Sequence, residues 1–530
     1  MDSVANRPPV KGLRNGFVRA ERIVTLVPGI EGDGLWWEEG RIRAVGPAAR
    51  LERELAPDTP RYELEGTWIT PGFVDGHTHF ASWALGRRRV QLAGAETRSE
   101  ALERVRAGTA VNGWVLGQGW DANRWEAAPT RWALDEVRSE PVYLDSLDVH
   151  AAWLNSAALQ AAGIDRRTPD PFGGRIVRDA NGEPTGVLLE RAVELALPAL
   201  PQPPEDVLLG AVREGQAEAH RLGVTGIHNV ETEAVLAGFR RLEAEDALRL
   251  RVLFHPPVAA LERLVAAGVR SGQGSDWLTI GGVKLFLDGS LGKQTAWMLD
   301  PYEGSRDRGM PITGVESARE AIQLAAGAGI AATVHAIGDA AVRRALDLLQ
   351  EAPRVALPHR IEHFQCVHPA DLGRAAHHGI VVSMQPAHLL TDIPLVERYW
   401  GARGEGAYCF RTILSQGTAV AFGSDAPVAA LDPRAGVYAA LARRAQDGSP
   451  ASGWQPDQRL DFETALRGYT QGCAQAGGVL ARRGALAPGQ DADLVAWELD
   501  GAALARGEGT AFREARARLT VVAGEVVMQA

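Results

Sequence analysis

The feature that most constrains this chain is a rhythm of short apolar runs, bounded by turn residues and mostly followed by helical stretches. The runs cover residues 73–79, 224–230, 251–255, 280–287, 330–336, 360–365, 380–385 and 419–425. Near-continuous apolar strands are buried on both faces, the situation of parallel strands covered by helices. Eight of them, alternating with helical patterns such as 340–351, 369–377 and 433–446, predict a (β/α)8 barrel. Such a barrel takes about 250 residues, so a chain of 530 residues must carry more than one domain.

The surplus falls in three places. Short strand patterns occupy 16–20, 23–26, 34–37, 41–45 and 67–70, and matching ones recur at 493–497 and 519–527. Neither end is a domain alone, so residues 1–70 plus 476–530 are expected to form one small β-sandwich. The stretch between the first and second runs is far too long for a loop. It has its own strand patterns at 114–118 and 142–145, and a helical run at 204–222 suited to the first barrel helix. Residues 82–200 are therefore expected to form an α+β insertion over the active site, leaving 71–81 plus 201–475 as the barrel. Tryptophan is enriched here, and two readings stay open. Trp120, Trp125, Trp132 and Trp153 fill the core of the insertion, or Trp120 and Trp153 line a substrate cavity.

Composition excludes some function classes. The 45% hydrophobic and 23% charged content is that of a soluble globular protein. The net charge is -10 and no Lys/Arg run is present, which argues against nucleic-acid binding. No stretch approaches the roughly 18 apolar residues of a membrane span. Residues 1–16 lack an apolar leader core. Cys366, Cys409 and Cys473 are widely spaced and form no disulfide framework. The expectation is a cytoplasmic protein whose partners are a small molecule and a second copy of itself, as a homodimer.

Chemistry in such barrels gathers at the C-terminal strand ends. Run one ends in His77 and His79, spaced i, i+2 and therefore on one face of a strand. Run four carries Lys284 in an apolar setting, run five ends in His335, run six in His363 and run eight in Asp425. Singly, each has a structural explanation: a satisfied histidine, an edge lysine, a turn-capping aspartate. Six such residues on barrel strands together point to a divalent cation site, for which imidazole and carboxylate suit zinc and its first-row neighbours. A buried lysine is pushed toward its neutral amine, which can take up CO2 and become a carbamate able to bridge two metals. His228 and Glu231 at the end of run two could stand behind the ligands. His150 in the insertion and His388 after run seven are candidates to face a substrate; Asp288 is either a turn residue or a substrate contact.

The order HxH, Lys, His, His, Asp resembles the amidohydrolase superfamily. The segments 71–80, 117–121, 148–156, 182–188, 283–292, 334–339, 423–427 and 484–494 are similar to its YtcJ-like branch, which includes N-substituted formamide deformylases. The likeness runs nearly end to end, with one departure: Asn229 follows His228 where many branch relatives have aspartate. The resemblance implies that His77, His79 and Asp425 hold one metal, His335 and His363 a second, and a carboxylated Lys284 bridges them. One or two zinc ions are expected, with manganese or iron as substitutes. It implies hydrolysis of a C–N bond by metal-activated water, with Asp425 as catalytic proton shuttle. An esterase or lactonase would use the same centre, and a non-catalytic barrel scaffold is the reading from another class.

Overall fold

The computed structural model describes residues 14–445 and 447–530. The leader reading over residues 1–16 thus falls, up to residue 13, outside the described residues, as does the end of the expected helix 433–446. The helix itself runs Pro433–Ala442.

The eight expected barrel strands are present. Strand one is Phe73–Thr78, two Val224–Val230, three Arg251–His255, five Ala332–Ala336, six Arg360–His363, seven Val381–Met384 and eight Val420–Phe422. Strand four comes in two pieces, Leu278–Ile280 and Val283–Phe286. All ladders between them are parallel. They do not close into one continuous barrel. Four strands form one sheet and five form another. Single parallel bridges, Pro257 to Lys284 and Thr78 to Ala426, tie the two seams.

Each seam has a local cause. Strand four breaks at Gly281-Gly282, where the Gly282 N–H donates to the His255 side chain at Nδ1 (3.0 Å) instead of to a ladder partner. A Cβ on Gly281 would lie 2.6 Å from that imidazole. At the other seam Gly423 passes so close to strand one that a Cβ would meet the His77 nitrogen at 2.4 Å. There the Asp75 carboxylate replaces the ladder, accepting the Ser424 N–H (2.9 Å) and hydroxyl (2.5 Å).

Both chain ends enter one seven-stranded sheet, ordered Glu525–Gln529, Arg516–Val522, Leu494–Glu498, Arg61–Pro71, Gly16–Ile23, Gly34–Glu38 and Arg41–Gly46. The two-layer sandwich expected from the sequence is thus one hydrogen-bonded mixed sheet, with Trp37, Leu35, Ile69, Leu494 and Leu519 among its core. The strand Arg61–Pro71 continues almost directly into barrel strand one, which fixes the sheet against the barrel.

The stretch between strands one and two holds six strands where sequence patterning marked two. Their order is Gly174–Arg178, Pro184–Glu190, Ala151–Leu154, Val142–Ser146, Val115–Trp120 and Val90–Gln91. The three cysteines are free and buried. No helix of the described residues is long and apolar enough to cross a membrane.

Candidate metal centre

The centre forms where strands one, five, six and eight end. His77 is inward-facing on strand one, while His79 lies just past the strand and begins the helix Phe80–Gly86. On strand six, side-chain alternation puts Arg360 and Glu362 on one face and would send His363 to the other. His363 escapes alternation through a left-handed φ of +70°, and Asp425 also adopts a positive φ, +60°. Non-glycine residues pay a steric cost there, and such conformations concentrate at functional sites.

One donor atom each from His77, His363 and Asp425 lies within 4.8 Å of the others, and all three side chains are buried. Asp425 Oδ1 is 3.4 Å from His77 Nε2 and 3.3 Å from His79 Nε2. Its Oδ2 is 4.0 Å from His363 Nδ1. The His335 ring follows, 4.4 Å from that of His363 between centroids. Lys284 on strand four is 2% exposed, with Nζ 4.7 Å from the centre of the Phe286 ring.

Two buried atoms in this group, Lys284 Nζ and Asp425 Oδ1, have no hydrogen-bond partner. Leaving a buried donor or acceptor unmade costs about 1–3 kcal/mol, so a pair of them at one spot marks a place built for something else. A divalent cation fits: the orphaned carboxylate oxygen faces two imidazole nitrogens, and burial drives His77, His335 and His363 toward the neutral form that ligates metals. Burial also brings the Lys284 ammonium down to about 8, within reach of the neutral amine needed for carbamate formation.

The ligands are held from behind by residues the sequence reading did not single out. Glu362 Oε2 lies 2.5 Å from His77 Nδ1, which leaves His77 Nε2 for the centre. Glu362 is itself gripped by Arg360, at 2.9 and 3.2 Å, and Arg360 also reaches the Gly76 carbonyl and His228 Nδ1. Burial opposes the Glu362 charge, but Arg360 and His77 outweigh it and hold the carboxyl well below its ordinary range. Burial likewise opposes ionisation of Asp425, and the surrounding histidines overcome it. Gln385 Oε1 holds His363 Nδ1 at 2.9 Å. Arg360 and Glu362 share a face by their i, i+2 spacing in strand six, the one sequence signal that could have found them.

His228 stands behind the ligands at one remove: its Nδ1 lies 2.7 Å from the Arg360 guanidinium that grips Glu362, whereas Glu231 has other work. Glu231 accepts the Ala81 and Ser82 N–H groups, and Asn229 Oδ1 accepts that of Phe80. The end of strand two therefore caps the helix that follows His79.

The expected substrate contacts divide. Trp153 is fully buried, with its indole N–H on the Thr130 carbonyl (3.0 Å), and belongs to the insertion core. Trp120 packs edge-on against it, is 2% exposed and carries the Lys293 ammonium over its ring face. The core reading replaces the cavity reading for both. Asp288 is a turn residue: its carboxylate accepts N–H groups from Trp297, Ile337 and Gly338. It nevertheless lies 3.6 Å from His335 Nε2, and burial raises its carboxyl to about 7. His388 stacks 6.4 Å from His363 and is half-buried, with Nε2 on the Ser424 carbonyl. His150 comes in from the insertion, its ring 5.3 Å from that of His335. Burial disfavours its cation, but Glu190 and Asp148 raise it to about 9.

Comparisons with known proteins bear on the family and the fold. The amidohydrolase family profile matches residues 62–528. The Bacillus subtilis protein YtcJ is 30% identical over 525 residues, covering 95% of this chain and 97% of its own. An N-substituted formamide deformylase of Arthrobacter pascens is 27% identical over 510 residues, covering 92% of this chain and 93% of its own. Among solved structures, a metal-dependent hydrolase from Pyrococcus horikoshii superposes with a TM-score of 0.76 at 26% identity, over 92% of this chain and 98% of that one. A barrel-type α/β fold, the clustered histidines and aspartate, and the matched profile lead to one conclusion: this chain belongs to the amidohydrolase family.

Proposed function

We propose that the protein is a metal-dependent hydrolase that cleaves the C–N bond of an N-formyl or N-acyl amine, or of a cyclic amide. The observation that carries this is Asp425, a buried carboxylate with one orphaned oxygen facing two imidazoles. Similarity to a formamide deformylase over most of both chains favours nitrogen as the leaving atom.

His77, His79 and Asp425 would hold one ion, His335 and His363 a second, and Lys284 as its carbamate would join them. Zinc suits this donor set best, with manganese or iron as substitutes. When bound, the metal acts as a Lewis acid that makes water a nucleophile near neutral pH. The remaining work falls to the chain. Asp425, held ionised by its neighbours, accepts a proton from the attacking water at Oδ2, the oxygen not turned toward His77 and His79. It returns that proton to the departing nitrogen as the C–N bond breaks, so that the amine leaves neutral. Glu362 fixes the tautomer of His77, and Gln385 the orientation of His363. The three buried thiols suit a reducing cytoplasm.

The test is a hydrolysis panel of N-formyl amines, N-acyl amino acids, cyclic amides and lactones, run with zinc- and manganese-loaded protein beside metal-stripped protein. The expected result is metal-dependent amine release, strongest among formyl and acyl amines. Lactone turnover above that of every amide would overturn the C–N assignment.

A further inference from the structure

At the N-terminal end of the barrel, on the side away from the metal ligands, lies a cavity of about 60 Å³. Strands one to three and the helix Cys473–Ala476 contribute to its wall. Much of that wall is apolar, with Val74, Ile227, Leu253 and Val479. Its charged lining is matched within the protein, Arg251 by Asp493 and Arg483 by Asp491. The Thr225 and Thr470 hydroxyls donate to the Phe73 and Leu466 carbonyls. His228 is different. It lines the cavity and is 5% exposed, and its Nε2 has no hydrogen-bond partner among the described residues.

The tautomer of His228 follows from its neighbour. A guanidinium can only donate, and Arg360 lies 2.7 Å from His228 Nδ1. Nδ1 therefore carries the lone pair, and the proton of the neutral ring sits on Nε2. Gly477 shows where that N–H points. A Cβ on Gly477, which lines the same cavity, would lie 3.8 Å from His228 Nε2. The backbone does not demand glycine there, since φ is -89° and ψ 0°. What glycine does is leave the space before the imidazole open.

We propose that this cavity is a binding site for a small neutral molecule with an acceptor oxygen, held by the His228 Nε2–H, and that its occupant steadies the metal centre from beneath. Matched charges leave nothing for an ion to pair with, and a lone buried donor selects an acceptor. The volume suits a few waters or one small organic molecule. The path to the centre is short. Arg360 donates to His228 Nδ1, grips Glu362 at 2.9 Å, and Glu362 holds His77 at 2.5 Å. An occupant accepting from Nε2 keeps the ring in the tautomer that Arg360 needs. The binding site is independent of which bond the enzyme breaks; its coupling to the centre rests on the metal-dependent reading above.

Crystals of the protein as purified test the site. An oxygen within hydrogen-bond distance of His228 Nε2 is the expected result, and a cavity without density there would overturn the proposal. Soaking in dimethyl sulfoxide separates the two sources. Anomalous signal from its sulfur beside Gly477 assigns the site to small organic molecules, and a retained oxygen without that signal assigns it to water. Coupling is read as zinc affinity, by competition with a chromophoric chelator. Gly477→Leu fills the cavity and is expected to weaken zinc about 3- to 10-fold, while Gly477→Ala, whose methyl makes an ordinary contact, stays within about 2-fold. His228→Phe is expected to weaken zinc as Gly477→Leu does, and the double variant to lose no more than the larger single loss. Losses that add across the pair would overturn the coupling, as would unchanged zinc affinity in Gly477→Leu. A wild type that binds no zinc would overturn the metal reading and leave the crystallographic result standing.

Discussion

Buried charge appears at both ends of the barrel, and the two ends treat it in opposite ways. At the N-terminal end Arg251 is 8% exposed and every side-chain nitrogen is engaged: two on the Asp493 carboxylate at 2.8 and 3.0 Å, the third on the Asp276 carbonyl. Asp493 in turn accepts the Ala523 N–H, and Asp491 takes Arg483. This cluster joins the barrel to the sheet made from the chain ends. At the C-terminal end Asp425 and Lys284 are as deeply buried, yet each leaves an atom unmatched. Charge whose partners are all present within the protein is architecture. Charge left incomplete, with Asp425 on backbone held at positive φ, is a site kept ready for something outside the chain.

The sharpest test of that contrast is Asp425→Asn. Losing the proposed proton shuttle should lower kcat by about 10³-fold. Because the native carboxylate is not fully matched, the melting temperature should hold or rise. A large fall in stability would make Asp425 a structural residue and break the distinction. Arg251→Met should do the reverse. Removing one partner leaves Asp493 buried and uncompensated, a loss of about 3–5 kcal/mol in unfolding free energy, while turnover per folded molecule is unchanged. A change in KM would mean that the two ends are coupled. Glu362→Gln tests the boundary between the classes, since Glu362 is both fully paired and in contact with a ligand. Zinc affinity should weaken by about 10- to 100-fold, measured by competition with a chromophoric chelator. Unchanged affinity would return Glu362 to the architectural set.

Much of this could be read from the sequence. The pair His77 and His79 is visible because strand alternation has period two. His335, His363 and Asp425 stand out as polar residues closing apolar runs, and Lys284 as a charge within one. What escaped was set by geometry that no periodicity encodes. The grip of Glu362 on His77 joins residues 285 positions apart, and strand alternation taken alone argues against His363 and Glu362 serving one centre. The break in strand four looked like a single run over 280–287 because Gly281-Gly282 interrupts no apolar pattern; only the approach of His255 reveals why glycines stand there. The tryptophans left two readings open, because composition alone does not say what they pack on. Their number reflects a small α+β domain filling its core, and Trp120, Trp125 and Trp153 pack on one another. His150 was visible as a histidine, whereas its partner Glu190, 40 residues later, was not.

The sheet built from both chain ends also dictates an order of events during synthesis. The strand Arg61–Pro71 pairs on one edge with Gly16–Ile23 and on the other with Leu494–Glu498. The first pairing is available as soon as residue 71 leaves the ribosome. The second partner emerges more than 400 residues later, about a minute at ordinary elongation rates. Through that interval the edge over residues 67–71 stands open next to the nascent barrel, the kind of edge that recruits other chains. Completion of this sheet therefore waits on the strands Leu494–Glu498 and Arg516–Val522, and until they arrive the open edge has to be kept from pairing with another chain.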